Sequence, residues 1–191
     1  MDLERFEFYK MEKPIYLLVF LILSKDTTAQ KKTWTYELQK LEAINETPDI
    51  VEVHVERRLV SRGVYRSFGE VDIKQDLTDD LQMEIYVMYS TNGRDFYRTP
   101  FHVPKGNLTF YINNYYMPIF MESFSECCDN LPALNGTFEA PLTARHITIA
   151  NCVVNTENMP SHLKSGYYRI TYSYMNQARG SITSEALVHP I

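Results

Sequence analysis

Three cysteines and five histidines are the side chains of this sequence best suited to chemistry. The cysteines are Cys127, Cys128 and Cys152, and the histidines are His54, His102, His146, His162 and His189. No two histidines stand at i, i+2 or i, i+4, and none adjoins the cysteine pair, so no metal-ligand pattern is present. A Cys–His nucleophile would have to assemble in space, and nothing in the sequence marks one. There is no G-x-S-x-G elbow, no P-loop and no G-x-G-x-x-G. Asp76, Asp79 and Asp80 read as a solvated loop rather than a tuned acid–base pair. The sequence therefore points to binding rather than catalysis, with no cofactor and no metal.

The chemistry left to the cysteines is disulfide formation, which needs an oxidising compartment. The N-terminus supplies one. Ile15 to Leu23 is an unbroken apolar run preceded by Lys10 and Lys13, and Thr27-Thr28-Ala29 places small residues at a cleavage site. This is the layout of a secretory signal peptide, here residues 1–29, with Met11 an alternative start. The run is shorter than the roughly 20 residues that span a bilayer. Secretion makes Asn45, Asn107 and Asn135 candidate glycosylation sites, because each begins an N-x-T sequon. One disulfide is expected, Cys152 with Cys127 or Cys128, leaving one thiol. Neighbouring cysteines rarely bond each other, since their side chains point apart. A loop of this length stabilises a fold by about 3 kcal/mol in the chain-entropy treatment.

The remainder, residues 30–191, has the size of one domain with a real core. Hydrophobic residues are 45% and aromatic residues 13% of the chain, which favours a β-rich globule. The net charge of -5 argues against nucleic acid as a partner.

Period-two alternation marks the strands. Trp34, Tyr36 and Leu38 form one, and Val51, Val53 and Val55 another after the Thr47-Pro48-Asp49 turn. Val64 to Ile73 is a third, with Gly69 at a bulge. Leu81, Met83, Ile85, Val87 and Tyr89 give the cleanest pattern, followed by the hairpin signal Ser90-Thr91-Asn92-Gly93. Phe96 to Val103 returns, and Pro100 assigns it to an edge. Arg145 to Ala150, Gly166 to Tyr174 and Ser181 to Val188 complete the set. Arg57, Arg58, Arg62 and Arg66 are read as strand-end charges paired with Glu70, Asp72 and Asp76. The fold class is all-β, an antiparallel sandwich with one short helix or flap.

That flap lies within Tyr111 to Cys128, the most aromatic stretch of the chain. A helix cannot run through Pro118 but can begin there. From that point Phe120, Phe124 and Cys127 or Cys128 share one face, and Glu122, Ser123, Ser125 and Glu126 the other. The plain reading is core; the functional one is a greasy cover for an apolar ligand.

Several of these segments have a familiar order. Residues 158–172 (N-M-P-S-H-L-K-S-G-Y-Y-R-I-T-Y) resemble the late segment of the GM2 activator protein family. The upstream order, Cys127 or Cys128, Asn130-Leu131-Pro132 and Ala140-Pro141-Leu142, is also similar. The fuller resemblance is to the insect chemosensory protein B family, secreted relatives of the GM2 activator. It is carried by Trp34 with Tyr36-Glu37, Arg62-Gly63-Val64-Tyr65, Ser90-Thr91-Asn92-Gly93 and Tyr115 to Cys128. The resemblance implies a β-cup, a sandwich whose sheets splay to hold an acyl chain. It also implies gustatory detection of lipid-like or hydrocarbon cues such as contact pheromones. The departure is in the cysteines, since the GM2 activator has several disulfides and this chain has at most one internal bridge. In such a cup Phe110, Tyr115, Tyr116, Met117, Phe120 and Phe124 are the expected lining or lid. The partners implied are an apolar small molecule (a fatty acyl lipid or hydrocarbon) and a membrane receptor. Two alternatives stand beside this: a secreted interaction module with a filled core, and a glycolipid-presenting activator of a hydrolase.

Overall fold

The computed structural model describes residues 31–191 apart from residues 133 and 158; the expected signal peptide lies outside the described residues. The alternating segments form nine strands: β1 Trp34–Asn45, β2 Val51–Ser61, β3 Val64–Ile73, β4 Leu81–Ser90, β5 Tyr97–Asn107, β6 Cys128–Asp129, β7 Arg145–Cys152, β8 Gly166–Asn176 and β9 Gly180–Pro190. A helical segment, α1 (residues 108–125), joins β5 to β6.

All pairings are antiparallel, in two sheets ordered β1-β9-β8-β4-β5 and β2-β3-β7-β6. The fold is an all-β sandwich with a short helical element. Register puts Leu81, Met83, Ile85 and Val87 on the same inner face as Tyr174, Tyr172 and Ile170 of β8. In β1 a bulge between Leu38 and Lys40 moves the inward set to Leu41 and Ala43. The register shift expected at Gly69 is present, between Ser67 and Gly69. Gly69 has φ 155°, and an added Cβ would stand 2.0 Å from the His54 carbonyl oxygen, so only glycine fits. β5 is an edge strand, which is where Pro100 belongs.

The chain passes between the sheets through the Thr47 turn, where the Ile50 and Val51 N–H groups donate to the Thr47 carbonyl. Beside it Asn45 at the end of β1 grips Val53 of β2: its Nδ2 donates to the Val53 carbonyl at 2.9 Å, and its Oδ1 accepts from the Val53 N–H at 2.8 Å. That amide is a rung between the two sheets along one side of the sandwich. The opposite edges, β5 and β6, are connected only by α1.

Packing differs along the length of the sandwich. At one end Val51, Val53, Ile73, Leu81, Ile85, Leu108, Tyr111, Ile112, Phe138 and Tyr174 form a buried base. Further along the strands, inward-facing Val55, Val71, Ile147, Ile170, Tyr172 and Ile182 pack against that base but keep accessible surface. Among the described residues no large apolar side chain is wholly covered; the largest that is wholly covered is Ser90. A sandwich filled to ordinary interior density would enclose its mid-strand inward residues.

The arginine pairing expected from the sequence does not form. Arg57 donates to the Leu38 carbonyl and lies over Tyr65, while Arg58 pairs with Glu56 and lies over Phe68. Glu70 and Asp72 face His146 across the strand pair instead. Asp76 accepts from the Ala144 N–H, so it closes a loop rather than pairing. In each case the nearer backbone or cross-strand partner wins over a distant exposed charge.

Replacing Asn45 by alanine strands the Val53 N–H and C=O in a half-buried setting. The Asn45→Ala variant is expected to lose about 1–3 kcal/mol of stability in urea unfolding. A loss under about 0.5 kcal/mol, the scale of a neutral surface change, would show that the rung is dispensable.

Candidate functional site

The candidate site is built where α1 lies against the inner face of the first sheet. α1 starts at Leu108, ten residues before the start expected at Pro118. Its N-terminal donors are met by two side chains that sequence reading had assigned elsewhere. Asn107 Oδ1 accepts from the Phe110 N–H at 2.8 Å, and Asp79 Oδ1 accepts from the Thr109 N–H at 2.8 Å. Asp79 is exposed, as expected of a solvated loop, and it also caps the helix from that distant loop.

Pro118 lies inside α1 because the stretch Ile112–Phe120 is a π-helix. Proline breaks the ordinary i→i−4 ladder. Here the turns widen, and the Met121 N–H reaches back five residues to the Tyr116 carbonyl. A final α-helical turn, Met121–Ser125, follows. Ser123, expected on the polar face, is buried and accepts from the Asn155 N–H at 3.1 Å.

The aromatic side chains of α1 form a connected row. Phe110 meets Tyr115 edge-on at 5.8 Å, and Tyr115 meets Tyr111 at 6.1 Å. Phe124 stacks on both Tyr116 (6.4 Å) and Phe120 (6.1 Å). Phe120 then touches Tyr172 of β8 edge-on at 6.4 Å, which fixes the row to the inner face of the sheet. Of the six residues expected to line the cup, Tyr115, Tyr116, Met117, Phe120 and Phe124 are half-buried in this row or on the base. Phe110 is 40% exposed and lies on the Gly106 backbone, on the outer side.

Sequence reasoning missed Tyr111 and Tyr172 as site residues. Tyr172 belonged to a recognised alternating set, but period two alone does not say which face is inward. Burial pushes the hydroxyls of Tyr116 and Tyr172 up to about 12 and that of Tyr111 higher still, so all three remain neutral donors. Neighbouring groups desolvate the Tyr172 hydroxyl, while the residue keeps some accessible surface.

The far end of α1 is pinned. Cys127 and Cys152 form a disulfide with Cα atoms 5.2 Å apart, tying the end of α1 to the end of β7. Cys128 is free, half-buried, and its sulfur lies 3.7 Å from that of Cys152. The three sulfurs lie within 4.8 Å of one another. Two of them are joined, so they are not thiolate ligands and the oxidised cluster offers no metal set.

Two other features lie apart from the aromatic row. A concavity of about 650 Å³ surrounds Gly69, and its wall joins inward-facing Ala43, Val53 and Val55 to His54, Glu56, Arg58 and Glu70, which face outward from β2 and β3. On the outer face of β7, His146 Nδ1 lies 2.6 Å from Asp72 and its Nε2 3.4 Å from the Thr148 hydroxyl. The order mimics a hydrolytic triad. It sits in the open, however, and Thr148 is hemmed by Glu70 and Asp129 on both neighbouring strands, which would repel an oxyanion. We assign it to surface ion pairing.

The three sequons differ. The Asn45 amide is engaged with Val53, Asn107 caps α1, and Asn135 is exposed in the loop after β6.

No described helix is long and apolar enough to cross a membrane. Comparison with models of known protein families and with curated proteins finds no match to this chain.

Cys128 has a chemical consequence that can be read in solution. Burial pushes its thiol up to about 11, with Asp129 adding to the effect. At mildly alkaline pH the thiolate fraction then falls roughly 100-fold below that of an unperturbed thiol. Iodoacetamide is expected to label Cys128 about that much more slowly in the folded protein than after denaturation without reductant. Equal rates would mean that the thiol is freely exposed.

Proposed function

We propose that this chain is a secreted, non-enzymatic binding protein for an apolar small molecule, a fatty acyl lipid or hydrocarbon. The observation that carries the reading is the incompletely covered inner face of the two sheets. Val55, Val71, Ile147, Ile170, Tyr172 and Ile182 face inward yet remain accessible, above a packed base and beside the aromatic row of α1. A ligand methylene moved into such a space contributes about 0.8 kcal/mol, so a long chain needs few polar contacts. The half-buried Met83 and Met117 add contacts that adapt to ligand shape. The disulfide supports an oxidising compartment, in line with the apolar leader. The resemblance to the insect chemosensory protein B family extends the reading to chemosensory perception, with delivery to a membrane receptor.

The test is native mass spectrometry of the protein secreted from insect cells, followed by organic extraction. A lipid or hydrocarbon at near-stoichiometric amount is the expected result. An empty protein that also fails to take up a fluorescent acyl probe would mean a filled core, and the interaction-module reading would replace this one.

A second reading, presentation of a lipid at a membrane, has one observation in its favour. At the β2–β3 tip Leu59 and Val60 are 60% and 46% exposed, beside Arg57, Arg58, Arg62 and Arg66. Apolar tips flanked by cations suit an anionic bilayer surface. Binding to anionic vesicles that falls at least tenfold in a Leu59→Asp, Val60→Asp variant would support presentation. Wild-type protein that ignores anionic and glycolipid vesicles alike would remove it.

A further inference from the structure

This inference rests on the interior being a ligand chamber, and it concerns the phenols inside it. Four tyrosines outside this interior have acceptors supplied by the fold. Tyr36 donates to the Val154 carbonyl, Tyr89 to that of Ser165, Tyr168 to that of Lys164, and Tyr86 to Glu84. The interior tyrosines are treated differently. The Tyr116 hydroxyl is fully covered and has no partner. Tyr111 is 8% exposed and Tyr172 is held against Phe120, and no described group accepts a hydrogen bond from either hydroxyl. The fully covered, unpartnered side-chain oxygens among the described residues are those of Tyr116 and Tyr174 alone. The Tyr111 and Tyr172 hydroxyls therefore keep open surface without an acceptor. Two neighbouring donors that open on the inner face without a protein acceptor are free to bond an oxygen brought by a ligand.

The charge around them narrows what that is. Every described cation–π contact lies on other rings, and no described lysine, arginine or histidine pairs with Tyr111, Tyr116 or Tyr172. A carboxylate brought here would lose its water without gaining a counter-charge, which is costly. A bare hydrocarbon would leave both donors unpaired. A neutral oxygen acceptor suits both constraints.

We propose that Tyr111 and Tyr172 form the polar end of the chamber and select a long-chain molecule carrying one neutral oxygen acceptor, such as an ester, aldehyde, ketone or alcohol. Tyr116 packs beside them and is the next donor in line if α1 shifts on binding. Both hydroxyls stay protonated well above neutral pH, so the selection is the same across the physiological range.

The experiment is displacement of a fluorescent acyl probe from the full secreted protein by a chain-matched alkane, alcohol, methyl ester and carboxylate at neutral pH. The ester is expected to bind about tenfold more tightly than the alkane, the scale of one good hydrogen bond into a desolvated site. In the Tyr111→Phe, Tyr172→Phe variant that advantage disappears, and ester and alkane bind alike. If the double variant does not fold, each single variant is expected to lose about threefold for the ester only. Equal binding of ester and alkane by the wild type, tightest binding of the carboxylate, or a preference that survives the tyrosine changes would overturn the selection and leave the chamber standing. Failure of every ligand and of the probe to bind would overturn the chamber as well.

Discussion

Two sheets hinged along one edge have no fixed separation until their other edges are tied. The hinge here is the β1–β2 crossing, held by the Asn45 rung to Val53. The tie is α1, which leaves β5 and arrives at β6. Its start is set by the caps from Asn107 and Asp79, and its end by the Cys127–Cys152 disulfide. A strand pairing β5 to β6 directly would merge the two sheets into one and draw these edges to ladder spacing. A helical strap spans the gap without drawing the edges together. The spacing of the sheets along this side depends on that strap staying fastened at both ends.

The π-helical middle of the strap follows from its composition. Pro118 removes an N–H and disfavours a regular turn before it, while the flanking rings need space. Widened turns answer both demands and turn Phe120 toward Tyr172. The residue that would break an ordinary helix thus helps set which rings face the chamber.

Phenol hydroxyls on an apolar inner face carry an energetic tension. Three phenols near one another are desolvated enough to hold their protons well beyond physiological pH. The rings contribute apolar wall, and the hydroxyls give that wall a chemical direction. By contrast, the Tyr36 hydroxyl and the Trp34 indole N–H donate to the loop carbonyls of Val154 and Pro160.

Much of the architecture was legible in period-two alternation. Strand β3 runs over the residues its pattern marks, β5 is the edge that Pro100 requires, and Gly69 sits at a register shift. The strap was legible as an aromatic, proline-bearing stretch, but its start was not. The Asp79 cap comes from a loop that is distant in sequence, and no local pattern encodes it. The arginine pairings failed for the same reason, since exposed charges settle on whichever partner the fold brings nearest.

Eight of the nine strands, the edge, the turns and the restriction of the disulfide to Cys152 with one of two neighbours were readable in the chain, and the short β6 was not. These depend on local sterics and on side-chain periods of two residues. Only the tertiary structure decided that Cys127 is the partner, that Phe110 faces outward, and that Tyr111 and Tyr172 face inward. Each of those outcomes depends on which face of a strand or helix meets the other sheet. Alternation is symmetric with respect to that choice, and only packing breaks the symmetry.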